Sequence, residues 1–186
     1  ASLVRLQTRF SNLETAHQAL GDTLSRILAI AAVHELLSRE DLDSVSVKKV
    51  VEQILTGTKQ SVVAPGKILL TTVDGPDIRL PLNLATSLAL VMNELIQNSV
   101  EHGFKDLDKG RISVQLEELD GYVTVTVTND GEELPVDFDP AQTKSLGLRI
   151  VTDLVRGGLG GTFTMENRDG ITAIVLFPKV DLNPIL

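Results

Sequence analysis

The stretch Asn93-Glu94-Leu95-Ile96-Gln97-Asn98-Ser99-Val100-Glu101-His102 decides the reading of this chain. Its apolar positions continue a stripe begun at Leu84, Leu88, Val91 and Leu95, which predicts a long amphipathic helix from about Leu84 to His102, stopped by Gly103. The opposite side is polar in an unusual way. Glu94, Asn98 and His102 recur every four residues, so a regular helix projects all three from one side. A carboxylate, a carboxamide and an imidazole in one row can serve a hydrated Mg²⁺ held through the Asn98 oxygen, with Glu94 orienting or deprotonating a reacting group. Such a row can equally be a solvated helix face.

Downstream, Ile112-Val114-Leu116 and Val123-Val125-Val127 alternate around Asp120-Gly121, which predicts a β-hairpin. The second strand runs into Asn129-Asp130-Gly131, where a strand-end amide and a glycine suit a flat ring bearing an exocyclic amine, although Asn-Asp-Gly is also an ordinary turn. Gly131 to Ser145 holds Gly, two Pro and several acids without any period and reads as a long loop of the lid kind. Ser145-Leu146-Gly147-Leu148-Arg149 places a glycine where this loop becomes a short helix, to about Val155, and free N–H groups there favour phosphate. Thr162 to Met165 and Ile171 to Phe177 form a closing hairpin. Upstream, Ile68 to Val73 reads as a strand ended by Asp74-Gly75-Pro76, with Ile78-Arg79-Leu80 as its short partner and a mixed sheet starting there.

The first forty residues differ in kind. Leu3, Leu6, Phe10 and Leu13, then Leu20, Leu24, Ile27 and Ala31, predict two amphipathic helices whose seam either meets a second copy in a four-helix bundle or covers the following domain. Asp41-Leu42-Asp43-Ser44 breaks the pattern, and Ser46 caps a helix from Val47 to about Gln60 with Glu52, Gln53 and Lys59 facing water. With 186 residues, 42% hydrophobic and 23% charged, the chain can bury one core plus an appendage. The net charge of −8 argues against a nucleic-acid surface, and the absence of cysteine excludes disulfides and fits a reducing, cytoplasmic setting. No apolar run reaches the roughly 20 residues of a membrane span, so this segment expects no membrane contact of its own.

In order, these pieces resemble the ATP-binding domain shared by histidine kinases, gyrase-type topoisomerases, heat-shock chaperone ATPases and MutL-type repair proteins, the GHKL class, from about Ser46 to Pro178. Asn93 to His102 is similar to its N box, Asn129 to Pro135 to its first glycine box and Ser145 to Leu148 to its second. Ala31-Ala32-Val33-His34-Glu35-Leu36-Leu37 and Phe138-Asp139-Pro140 resemble histidine kinases of the second HisKA dimerisation type. The implied fold is α+β, a two-layer α/β sandwich of the GHKL ATPase type, a mixed sheet covered by helices on one face, preceded by an α-helical dimerisation hairpin. The implied division is 1–42 for a partial dimerisation hairpin and 43–186 for the catalytic domain.

That resemblance also implies an activity: ATP-dependent phosphorylation of a histidine, with onward transfer to a response-regulator aspartate and a homodimer formed through the N-terminal helices. The residues carried over are Glu94 as catalytic, Asn93, Asn98, His102, Asn129, Gly131, Leu134, Gly147, Leu148 and Thr172 as ATP-binding, and Asn98 as the Mg²⁺ ligand. The accepting histidine of the family precedes residues similar to Ala1 to Gln7, so His17, His34 and His102 are not expected to accept phosphate. Asn129 stands where the family has Asp, and Glu133 where it has a second Gly. These departures leave a degenerate nucleotide-binding or dimerising module as one alternative, and an anti-sigma-type serine/threonine kinase as another.

Overall fold

A computed structural model describes residues 20–21, 23–36, 44–61, 68–104, 107–135, 138–140, 142–143 and 145–179. The first predicted helix with Leu3 to Leu13, His17 and the break at Asp41 to Asp43 lie outside these residues. Helix α1 covers residues 20–21 and 23–36 and is followed by strand β1 (Val45–Ser46) and helix α2 (Val47–Ser61). Next come β2 (Ile68–Asp74), β3 (Arg79–Leu80) and the long helix α3 (Leu82–Asn98), whose last turn widens into a π turn over Ser99–Gly103. The hairpin β4 (Lys109–Leu119) and β5 (Tyr122–Asn129) precedes helix α4 (Leu146–Asp153), a second π segment (Leu154–Leu159), and the hairpin β6 (Thr162–Asn167) and β7 (Ile171–Pro178).

Five strands form one mixed sheet in the order β2-β4-β5-β7-β6, with β2 parallel to β4 and every other pair antiparallel. Asp120 and Gly121 both take left-handed conformations, φ 53° and 78°, as a tight two-residue hairpin turn requires. Alternation then sorts the side chains. Ile112, Val114 and Leu116 align with Asn129, Val127 and Val125, and Val127, Val125 and Val123 with Ala173, Val175 and Phe177, all buried toward the helices. Thr124, Thr126 and Thr128 point to the other face. Leu84, Leu88, Val91 and Leu95 of α3 are buried in the same continuous core, against which α4 and α2 also pack, so the predicted sandwich is present.

Three local expectations change. Arg79 and Leu80 pair antiparallel with Ser46 and Val45, not with β2, because β2 finds its partner in β4. Ser46 does cap α2, accepting from the Lys49 N–H at 3.3 Å, and its hydroxyl also bonds Asp77. Gln53 faces water only in part, since α1 lies over it and buries its side-chain oxygen. Helix α1 itself has two apolar faces. Ala29, Val33 and Leu36 are buried, while Leu20, Leu24 and Ile27, the stripe read from the sequence, are 67%, 57% and 57% exposed.

Candidate functional site

Between the end of α3, the inner face of β5 and β7, and the start of α4 lies a cavity of about 220 Å³. Its floor is apolar, with Leu95, Val127, Leu148, Met165, Ile171 and Ala173, and its polar rim includes Asn98, Ser99, His102 and Asn129. Leu134 and Phe138, from the long loop, close one side. A flat, mostly apolar slot with a few placed polar groups is the usual form of a small-molecule site.

Asn129 is only 4% exposed, and its amide is oriented by its neighbours. The Ser99 hydroxyl donates to the Leu95 carbonyl (2.9 Å) and so must accept from Asn129 Nδ2 (3.2 Å). Asn129 Oδ1 is thereby turned to the Gly131 N–H at 3.1 Å, and its second lone pair remains for a donor. The side-chain bond from Ser99 to Leu95 coincides with the switch from α to π winding. The π turn lies between Asn98 and His102, so the widened winding acts on that pair and not on Glu94. Asn98 and His102 line the cavity, whereas Glu94 does not.

Glu94 sits one turn back and is 5% exposed. Arg26 of α1 forks its carboxylate, Nε to Oε1 at 2.7 Å and Nη2 to Oε2 at 3.0 Å. Asn93, also placed among the ATP-binding residues, faces α1 too, its Oδ1 accepting from the Ser25 hydroxyl at 2.8 Å. Gly147 explains why the two regions still touch. A side chain there would begin 2.7 Å from Glu94 Oε2 and 3.8 Å from both terminal atoms of Asn98, so a larger residue would push the Glu94 carboxylate aside. Ser145, at the N-cap of α4, makes no side-chain bond to the first turn, which leaves its N–H groups open toward an anion.

Two other expectations are relocated. Gly131 does not line the cavity; a side chain there would lie 2.2 Å from the Gly103 carbonyl oxygen, so its bareness serves the close approach of the loop to α3 rather than a ring. Thr172 pairs with Thr128 and faces away from the cavity, because Ile171 and Ala173 take the inward phase of β7. Between Asn129 and Gly131 in the turn, the Asp130 carboxylate accepts from the Arg111 N–H at 2.6 Å. Residues the sequence did not flag include Ser99, Met165 and Asn167, whose side chain makes reciprocal 2.9 Å bonds with the backbone of Leu134. Among the described residues no group of three or more His, Asp or Glu side chains could hold a metal alone. Half-buried Asn98 can offer its Oδ1 to a metal that keeps its waters and takes one protein ligand, while its unpartnered Nδ2 would donate to a phosphate oxygen.

A helix-covered mixed sheet, an α3 polar end and a glycine-started helix opposite it define a nucleotide-binding class of protein. Residues 83–182 match the family described as histidine kinase-, DNA gyrase B- and HSP90-like ATPase, and residues 1–62 match a family described as histidine kinase. The chain belongs to this ATPase family, on its histidine kinase branch with a second-type HisKA segment. It is 34% identical over 178 residues to the sensor histidine kinase PdtaS of Mycolicibacterium smegmatis and 32% identical to PdtaS of Mycobacterium tuberculosis, covering 95% of this chain each time. The chain spans about a third of those relatives, 36% and 35% of their length. The histidine kinase domain of the Erythrobacter litoralis EL346 blue-light activated kinase has the same fold, with a TM-score of 0.74 at 21% identity over 89% of this chain and 81% of that one.

Proposed function

We propose that this chain is the catalytic part of an ATP-dependent sensor histidine kinase, binding Mg-ATP and donating the γ-phosphate to a histidine outside these residues. The observation that carries the reading is the buried, unpartnered Nδ2 of Asn98 beside Gly147 at one end of an apolar slot. The adenine occupies that slot, with its amine donating to Asn129 Oδ1 and Leu134, Phe138 and Leu148 excluding water. The phosphates reach the open N–H groups at Gly147 and Leu148, and His102 stands at the rim. Asn98 holds Mg²⁺, which when bound offsets phosphate charge.

In the transfer, the bond between the γ-phosphorus and the bridging oxygen breaks, ADP leaves, and a bond to an imidazole nitrogen forms. Glu94 orients that imidazole or takes its proton. Chemistry of this kind rests on positioning and electrostatics more than on covalent help from the protein. The exposed stripe of Leu20, Leu24 and Ile27 supports a homodimer through the N-terminal helices, and a response-regulator receiver domain is the onward acceptor. Among the described residues no helix is long and apolar enough to cross a membrane, which accords with work in the cytoplasm.

Titration calorimetry with a non-hydrolysable ATP analogue, with and without Mg²⁺, tests this reading. Metal-dependent binding, weakened about 10- to 100-fold in Asn98→Ala, is the expected result. Absence of binding at millimolar analogue contradicts it.

A further inference from the structure

Glu94 is held by a partner far away in the sequence, and the contact joins two units with different tasks. The Arg26 fork comes from α1, within the segment that matches the histidine kinase family, while Glu94 belongs to the ATPase fold. Next to it, Ser25 bonds Asn93, so two consecutive residues of α1 meet two consecutive residues of α3 and fix the register between the helices. The carboxylate side chain is 6% exposed and the arginine side chain 22%, so the pair is withdrawn from water and weakly screened. A carboxylate buried to that degree needs a fixed cation.

The oxygen that Arg26 Nη2 grips, Oε2, is also the atom that stands 2.7 Å from the side-chain position of Gly147. Guanidinium, carboxylate and the start of α4 therefore lie in sequence. A polyphosphate reaching Gly147 meets a carboxylate of its own sign, and Arg149, the nearby cation of α4, points to solvent. We infer that Arg26 is a positioning residue for phosphoryl transfer, which aims the Glu94 carboxylate and offsets its charge beside the phosphates, so that docking of α1 completes the nucleotide site. The inference rests on the nucleotide reading above. Arginine suits the task because its planar fork fixes both oxygens at once, which a lysine ammonium does not.

Calorimetry with the Mg²⁺-bound ATP analogue and with adenosine, on the full 186-residue chain and four variants, tests it. Arg26→Ala weakens the triphosphate by about tenfold and leaves adenosine within about twofold, because the lost term acts only on phosphate charge. Arg26→Lys, which keeps charge but not the fork, falls between. Glu94→Gln binds the triphosphate no more weakly than the unchanged chain, and Arg26→Ala combined with Glu94→Gln recovers its affinity. A merely structural arginine leaves the double variant as weak as Arg26→Ala, and that result overturns the inference. Triphosphate binding by Arg26→Ala that equals or exceeds that of the unchanged chain also overturns it, and in the second case marks the contact as inhibitory. If the unchanged chain binds no analogue, the nucleotide reading itself falls and the role of Arg26 with it; analogue binding that is indifferent to Arg26 sinks only the latter.

Discussion

Two cavities of similar size flank α3, and they are built on opposite terms. The one over β5 and β7, about 220 Å³, has an apolar floor drawn from the core, and its deepest amide, Asn129, is bonded through both of its polar atoms. The one between α1, α2 and α3, about 250 Å³, leaves Gln53 Oε1 and Asn93 Nδ2 buried without partners. The first is part of the folded domain and is oriented before any ligand arrives. The second is a seam produced when a separate helix lies on the domain, with surface-type residues trapped beneath it. Unpaired amide atoms occur on both sides, Asn98 Nδ2 in the first cavity and Gln53 Oε1 and Asn93 Nδ2 in the second; what separates a binding site from a docking seam is the fully bonded, oriented Asn129 of the first.

The largest effect is expected where the first cavity is filled. Ala173→Leu, on its floor, lowers affinity for the ATP analogue by about a hundredfold while the chain stays folded, by calorimetry and circular dichroism. The same analogue binding undiminished would place the nucleotide elsewhere and erase the contrast. Gly131→Ala comes next. Its new side chain meets the Gly103 carbonyl at 2.2 Å, so backbone must shift, and thermal unfolding should report a loss of about 2 kcal/mol. In the seam the sign reverses. Gln53→Leu removes a buried unpaired oxygen and should be neutral or stabilising by about 1 kcal/mol, whereas a clear loss would show that this oxygen is satisfied in solution. Smallest is Asn167→Ala, which frees the exposed Leu134 backbone at about 0.5 kcal/mol and speeds hydrogen exchange at Leu134 without altering the core strands.

Legibility in the sequence followed the range of the interaction. Helix α3, the Asp120-Gly121 hairpin and the Ser46 cap rest on neighbours within a few residues, and each was readable from period or turn chemistry. Pairing of β3 with β1 was not, because Arg79 and Leu80 carry no signal that chooses between two short partners. The polar row of Glu94, Asn98 and His102 was read on an isolated helix; Asn98 and His102 line the cavity as a pair, while Glu94 is taken up by Arg26 of α1. Thr172 was placed by analogy of motif, while strand alternation turns it away from the cavity. Arg26 lies 68 residues from Glu94, and no periodicity in either helix announces that pair. Relationships of family therefore supplied the activity, and geometry supplied the division of labour along α3.

Hydrogen exchange of the whole chain, with and without the Mg²⁺-bound ATP analogue, tests most directly where the nucleotide sits. Slowed exchange centred on the end of α3, on Leu134 and its neighbours in the loop, and on the start of α4, with lesser slowing in α1 through Arg26, is the predicted result. Slowed exchange centred on α1 and α2, with the loop and α4 unchanged, would contradict the assignment of the nucleotide to the sheet-side cavity.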